Sequence, residues 1–160
     1  MTTIAYRSGI LAADSRETWE SDAGGVTYAT CEKLFRRRIG KRDVIFGTAG
    51  GSYLGMVFID WFGKMDKEPP SILRDAHLEE DFDVIILDRG KVYTVNHLCR
   101  PVEVCDPFTA VGSGRKAALA LMHAGCGAKR AVEIACKVDP FSAPPIYTMA
   151  MPEYQPKRRA

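Results

Sequence analysis

Apolar and polar residues alternate with a period of two along several short stretches of the chain, which is the pattern of β-strands. The clearest pair, residues 83–88 and 91–95, flanks Arg89-Gly90, a dipeptide suited to a tight hairpin turn. A second hairpin is predicted at the start, where residues 3–6 and 10–13 flank a turn that contains glycine. Further strands are predicted at residues 26–30, 44–46, 108–111 and 146–149.

Three other segments repeat their apolar residues with the period of an α-helix. The first begins near Ser52, and residues 115–122 and 128–138 follow later in the chain. The apolar stripe of the first helix is broad enough to pack on a sheet, and it comprises Tyr53, Leu54, Val57, Phe58, Trp61, Phe62 and Met65. Residues 71–81 hold at most a short helical turn. This order of strands and helices predicts an α+β fold in which antiparallel strands are covered by helices on both outer faces.

The length of 160 residues fits one domain, so we expect a single domain over residues 1–160 with a polar tail at about 155–160. Acidic and basic residues nearly balance to a net charge of +2. The basic clusters at residues 36–38, 41–42 and 157–159 suit either phosphate contacts or a solvated surface. We favour the solvated surface and expect no nucleic-acid partner, since no aromatic residues are interleaved with the charges.

The five cysteines include no C-x-x-C pair, and the start of the chain lacks the apolar core of a signal peptide. These features predict a reducing, cytoplasmic location and argue against a disulfide framework or a zinc site. The three histidines are scattered, and we expect none of them to be a ligand or a catalytic base. No apolar run reaches the roughly 18 residues that a membrane span needs, so no membrane partner is expected. No metal and no cofactor are expected either.

The chain start offers a candidate nucleophile. If Met1 is removed, Thr2 has a hydroxyl group and a free α-amine in the same residue. An α-amine titrates at about 7.7 to 8.0, so near neutral pH part of it is an unprotonated base beside the hydroxyl that it must activate. The alternative is that the segment is an ordinary chain start followed by a strand.

Two charged residues fall next to apolar segments. Asp14 follows the predicted strand at residues 10–13, where a buried acid needs a cationic partner. Lys33 precedes Leu34-Phe35, and such a lysine either extends its amine to solvent or is held against an acid. The glycines of residues 47–51 allow a close approach of the backbone, with amides directed at a ligand from a helix N-terminus.

Several short segments together resemble the proteasome β-type subunits, and most closely the bacterial HslV-type peptidases. The matching segments appear in family order over nearly the whole chain: residues 2–4, 11–14, 33–36, 47–51, 88–90, 110–114 and 139–142. The resemblance implies the four-layer αββα sandwich of N-terminal nucleophile hydrolases.

The resemblance also implies roles for individual residues. Thr2 would be the nucleophile, with its own α-amine as the general base. Lys33 would lie beside the hydroxyl and lower the proton affinity of the site, while Asp14 would neutralise and hold Lys33. The backbone N–H of Gly50 would face the developing oxyanion, a contribution of about 2.7 to 4 kcal/mol in comparable sites.

Further residues are implied around this centre. Ser113 and Asp139 would keep the α-amine aimed, with help from Ser142; taken singly, the first two also suit a helix N-terminal serine and a helix C-terminal acid. The substrate-binding pocket would be lined by Cys31, Thr48 and Ser52. Three features depart from the family pattern. The first turn is shorter, so Asp14 lies closer in sequence to Thr2; one helix and a Pro-interrupted connector stand where two long helices are usual; and Ala143 replaces the common glycine.

The first hypothesis is therefore a threonine-type endopeptidase that works inside a homo-oligomeric ring. Its substrates would be unfolded polypeptides, supplied where needed by an ATP-dependent unfoldase. Two alternatives stay open: a non-catalytic ring or scaffold subunit, and a small-molecule amide hydrolase with the same fold.

Overall fold

Two antiparallel sheets stack face to face, and helices cover the outer side of each. The computed structural model describes residues 2–20, 24–64, 68–75, 82–96 and 98–151. Within these residues the strands are β1 (Thr3–Arg7), β2 (Ile10–Ala13), β3 (Arg16–Glu20), β4 (Val26–Thr30), β5 (Leu34–Ile39), β6 (Arg42–Gly50), β7 (Phe82–Asp88), β8 (Lys91–Val95), β9 (Val102–Glu103), β10 (Phe108–Gly112) and β11 (Tyr147–Ala150). The helices are α1 (Ser52–Lys64), α2 (Ser71–Asp75), α3 (Arg115–His123) and α4 (Ala128–Ala135).

The strands form two large sheets and one separate hairpin. The first sheet has the order β10-β1-β2-β11 and the second β5-β6-β7-β8-β9, while β3 pairs only with β4. All of these pairings are antiparallel. Helices α3 and α4 pack on the first sheet, α1 packs on the second, and α2 contacts α1. The architecture is the predicted αββα sandwich.

Alternation along the strands divides the core into three apolar layers. On β1, Ile4 and Tyr6 face the opposite sheet, whereas Ala5 faces helices α3 and α4. On β6, Ile45 belongs to the layer between the sheets, and Phe46 packs on α1. The small residues on the helix side of the first sheet let α3 and α4 approach it closely.

Gly47 lies at a close contact between the two sheets. A Cβ atom at this position would lie 3.0 Å from Ile4 and 3.1 Å from Leu11, two side chains of the facing sheet. Because both neighbours are fully buried, neither has solvent to move into. Glycine at this point lets β6 lie against β1 and β2, and so brings the end of β6 close to the chain start.

Most predicted elements are present. The hairpin of β7 and β8 turns at Arg89 and Gly90, which both have positive φ, as this class of tight turn requires. Helix α1 begins at Ser52 as predicted, and its stripe packs in the core from Leu54 to Phe62. Tyr53 was predicted to pack there too, but it is 66% exposed because it lies on the solvent side of the first turn. Met65 lies outside the described residues. The short helical turn predicted after residue 70 is α2. The predicted tail at 155–160 also lies outside the described residues.

Three strands were not predicted, and one predicted helix is shorter. Strand β5 has three consecutive arginines that hide its apolar alternation, and it lies at a sheet edge where charged side chains reach solvent. Strands β3 and β9 show little apolar alternation of their own. The helix predicted to reach residue 138 ends at Ala135, because the N–H groups of Lys137 and Val138 bond carbonyls three residues back in a tighter turn.

Candidate active site

A pocket of about 250 Å³ opens at one end of the sandwich, beside the first residue of β1. Segments from six parts of the fold meet there: the chain start, hairpin strand β3, the β4–β5 connection, strand β5, the end of β6 and the first turns of α1. The lining residues are Thr2, Glu17, Cys31, Glu32, Lys33, Phe35, Thr48, Gly50, Ser52 and Met56. Six of the ten residues predicted for the site therefore line one cavity: Thr2, Cys31, Lys33, Thr48, Gly50 and Ser52.

Behind this pocket, Asp14 and Lys33 form a buried ion pair. The Nζ of Lys33 lies 3.0 Å from Oδ1 of Asp14, and the two side chains are 7% and 0% exposed. Lys33 Nζ also donates to the backbone carbonyl of Arg16. Of the two interpretations of Lys33 left open by the sequence, the structure shows the lysine held against an acid.

The carboxylate of Asp14 accepts four hydrogen bonds. Oδ1 accepts from Lys33 Nζ and, at 2.9 Å, from the backbone N–H of Thr3. Oδ2 accepts from the backbone N–H groups of Arg16 and Ala143, both at 3.0 Å. Alanine at position 143 is thus compatible with this contact, because only its backbone N–H is used. One carboxylate ties the chain start, the buried lysine and the segment after α4 together.

The electrostatic state of Lys33 results from two opposing effects. Burial disfavours the charged ammonium and is the larger effect, so the pKa of Lys33 falls below its ordinary value. The adjacent Asp14 carboxylate opposes this fall by charge attraction and by its hydrogen bond. A lysine with a lowered pKa gives up its proton more readily than one at the surface.

The backbone of Thr2 fits closely against Gly112, the last residue of β10. A Cβ atom at Gly112 would lie 2.0 Å from the carbonyl oxygen of Thr2, and the φ of Gly112 is +88°. Both facts require glycine, since L-residues with a side chain rarely adopt this conformation and no space exists for one. The β1–β10 pairing therefore fixes where Thr2 enters the pocket.

Next to Thr2, a chain of hydroxyl groups ends on one carboxylate. Thr3 Oγ1 and Ser142 Oγ lie 2.7 Å apart, and Ser142 donates to Oδ2 of Asp139 at 2.5 Å. Ser113 Oγ donates to the same oxygen at 2.7 Å and lies 3.3 Å from the carbonyl oxygen of Thr2. Since Ser142 gives its one proton to Asp139, Thr3 is the donor between the two hydroxyls. The predicted residues Ser113, Asp139 and Ser142 thus form one network beside Thr2.

Neither simple structural interpretation of Ser113 and Asp139 holds. Helix α3 begins at Arg115 after Gly114, with no side-chain cap, so Ser113 is not its capping residue. Helix α4 ends at Ala135, and Asp139 lies beyond it, where its carboxylate serves the network.

Glu17 was not predicted, yet it lies in the pocket wall. Ser52 donates a hydrogen bond to Glu17 Oε1, and the thiol of Cys31 donates to the same carboxylate. Burial alone would raise the pKa of Glu17, but these hydrogen bonds and the charge of Lys33 outweigh it, so the pKa is lowered. The available signal was the glycine pair Gly24-Gly25 before β4, because a strand preceding such a turn would complete a hairpin and would contain Glu17.

Among the residues that the structure describes, no group of three or more His, Cys, Asp or Glu side chains is arranged to hold a metal ion. All five cysteines lie in the described part of the chain, and none is disulfide-bonded. Within the same residues, no helix is both long and apolar enough to span a membrane.

Solved structures that are similar to this fold include HslV and Anbu proteins. Eukaryotic HslV from Trypanosoma brucei is 17% identical, with a TM-score of 0.60 over 94% of this chain and 99% of that chain. The fold is that of the N-terminal nucleophile hydrolase sandwich. An Anbu (Gly-1) mutant from Hyphomicrobium sp. strain MC1 is 14% identical, with a TM-score of 0.68 over 94% of this chain and 82% of that chain.

A third similar structure is the helical assembly of the Anbu complex from Pseudomonas aeruginosa, 14% identical, with a TM-score of 0.64 over 94% of this chain and 81% of that chain. No protein-family model and no curated protein sequence matches the chain. At these identities the likeness establishes the fold, and the chemistry has to be argued from the site itself.

Proposed function

We propose that the protein is a threonine-type endopeptidase whose nucleophile is Thr2, exposed by removal of Met1. The observation that supports this most is that Thr2 lines the same pocket as Lys33, whose ammonium is buried and paired with Asp14. Burying an ion pair costs several kcal/mol per ion in desolvation. Packing of the two sheets does not require a buried ion pair at the wall of a pocket, whereas a role in the chemistry of Thr2 does.

The proposed reaction proceeds in two stages. The α-amine of Thr2 takes the proton of its own hydroxyl, and Oγ1 attacks the peptide carbonyl to form a tetrahedral oxyanion. The backbone N–H of Gly50 stabilises this oxyanion, and its collapse to an ester releases the amine product, which takes the proton from the α-amine. A water molecule, deprotonated by the same α-amine, then hydrolyses the ester and regenerates Thr2.

The surrounding residues act on Thr2 in this proposal. Lys33 lowers the proton affinity of the site by its positive charge, and Asp14 holds Lys33 in place. The network of Ser113, Asp139 and Ser142 orients the first residues of the chain. Cys31, Thr48 and Ser52 contact the substrate side chain from the pocket wall.

Intact mass and covalent labelling test the proposal together. The purified protein is expected to lack the mass of Met1 and to gain one adduct on Thr2 from a peptide epoxyketone or another electrophile directed at an N-terminal threonine. Thr2→Ala is expected to abolish both the adduct and the cleavage of a fluorogenic peptide, whereas Thr27→Ala, at an exposed position of β4, retains them.

Three results would contradict the proposal in different ways. Retention of Met1 would leave no α-amine to act as base. Cleavage that survives in Thr2→Ala would place the nucleophile elsewhere. Loss of Met1 without labelling or peptide cleavage would favour the non-catalytic scaffold subunit, and turnover of small amides without peptides would favour the small-molecule hydrolase.

We further propose that the chain is a single domain that assembles into a homo-oligomer, as a ring or stacked rings. The hairpin of β3 and β4 supports this, because it exposes large apolar side chains on both faces: Trp19 (46%) on one, and Val26 (52%) with Tyr28 (60%) on the other. An assembly that encloses the pocket would admit unfolded polypeptide, delivered by an ATP-dependent unfoldase. Cysteines without disulfides support a reducing, cytoplasmic location.

A further inference from the structure

The pocket beside Thr2 has an excess of negative charge. Three charged side chains form its wall: Lys33, Glu17 and Glu32. The charge of Lys33 is balanced by Asp14 at 3.0 Å, on the side away from solvent. The two glutamates therefore determine the net charge that a ligand meets inside the pocket.

The Glu17 carboxylate is held in position and stays ionised. Ser52 donates to Oε1 from the first residue of α1, and Cys31 donates from the β4–β5 connection. These donors and the charge of Lys33 lower the pKa of Glu17 against the opposing effect of burial. Donors from α1 and from the β4–β5 connection thus hold the negative charge of Glu17, a residue of β3, in the wall of the cavity.

The rest of the wall suits the aliphatic part of a long side chain. Phe35 and Met56 supply apolar surface to the wall, from β5 and α1. Lysine and arginine combine an apolar stem with a charged end, and such side chains bury the stem along apolar surface while the charge reaches a polar partner. A volume of about 250 Å³ is below the range of pockets for drug-sized ligands, and it suits a single side chain.

We propose that this pocket receives the lysine or arginine side chain that precedes the scissile bond, with Glu17 as the specificity-determining residue. This inference rests on the proposed peptidase function, since it concerns which peptide bond reaches Thr2. The stem lies between Phe35 and Met56, and the cation pairs with Glu17, with Glu32 adding attraction at the exposed rim.

The test uses a series of fluorogenic peptides that differ only in the residue before the cleaved bond: lysine, norleucine or glutamate. Norleucine has the same stem as lysine without the charge, so the ratio of the two kcat/KM values isolates the charge. The expected preference for lysine over norleucine is about fivefold or more at low salt, and it declines as salt screens the pair. Glutamate is expected to be the poorest substrate.

Glu17→Gln keeps the shape of the side chain and removes its charge, so the lysine-to-norleucine ratio is expected to fall to about one to two. Glu133→Gln, which removes a similar charge from helix α4 on the opposite outer layer, is expected to leave the ratio unchanged. Glu32→Gln, at an exposed position, is expected to lower the ratio by about twofold. If Glu17→Gln does not fold, Glu17→Asp tests the same position, because it draws the charge back by one methylene group. The lysine-to-norleucine ratio is then expected to fall, and an unchanged ratio would contradict the assignment of Glu17.

The outcomes separate this inference from the peptidase proposal. If the wild-type protein cleaves none of the peptides and forms no adduct at Thr2, the proposed function fails. If it cleaves peptides without preferring lysine, or if Glu17→Gln and Glu32→Gln both keep the wild-type preference, the assignment of Glu17 is wrong while the peptidase proposal stands.

Discussion

Replacing Asp14 by asparagine would remove one charge from the buried pair while keeping the shape of the side chain. The carboxylate accepts from Thr3, Lys33, Arg16 and Ala143, two donors on each oxygen. An asparagine has one acceptor oxygen, so its amide group would face two of these donors, and the charge of Lys33 would lose its partner. Removing one member of a buried pair costs about 3 to 5 kcal/mol.

A loss of this size is large beside the roughly 5 to 15 kcal/mol that usually separates folded from unfolded states. For a chain of this length, each kcal/mol corresponds to a shift of about 2 to 4 °C in melting temperature, so Asp14→Asn is expected to lower it by about 10 °C. Urea denaturation at pH 7, followed by circular dichroism, is expected to show a midpoint lower by about 2 M.

Two further variants make the measurement specific. Asp43→Asn removes one side of an exposed pair, with Arg38 3.7 Å away, and is expected to change the free energy of unfolding by less than about 0.5 kcal/mol. Adding Lys33→Met to Asp14→Asn removes the unpaired charge and is expected to recover part of the lost stability. The reasoning is refuted if Asp14→Asn unfolds at the wild-type midpoint, or if the double variant is no more stable than Asp14→Asn alone.

Three other results are expected. Gly112→Ala is expected to lower the free energy of unfolding in urea by at least about 2 kcal/mol, and the control Gly125→Ala by about 1 kcal/mol. Both glycines have positive φ, but only Gly112 lacks space for a Cβ atom. Equal losses would show that the contact with Thr2 is unimportant. Because the pKa of Glu17 lies below its ordinary 4.5, the wild-type protein is expected to be more stable than Glu17→Gln above pH 4.5. This advantage is expected to disappear as the pH falls through the lowered pKa. Melting curves of both proteins at pH 7, 4 and 3 measure the difference, and a difference that does not change with pH would contradict the shift. Trp19→Ser with Tyr28→Ser is expected to reduce the mass found by light scattering, and an unchanged mass would exclude the hairpin from the assembly interface.

Local patterns were sufficient to predict much of the fold. The β7–β8 hairpin and helix α1 are specified by residues close together in sequence, because turn chemistry and helical period act over a few residues. Strand β5 escaped prediction because its arginines are tolerated only at a sheet edge, and which strand lies at an edge is decided by the whole sheet.

The sequence by itself determined that Asp14 needs a cation, because a carboxylate at the end of an apolar strand is costly alone. It did not determine how the carboxylate is satisfied, since one of its donors, Ala143, lies 129 residues away and reaches it only when β2 pairs with β11. The contact between Thr3 and Ser142 spans 139 residues and depends on the same packing. The position of Glu17 in the pocket depends on the β3–β4 hairpin, which contains it, and on Ser52 of helix α1, which donates to it. Hydrogen bonds and charge interactions depend on how close two groups lie in space, and the sequence separation of 35 residues gave no sign of this contact.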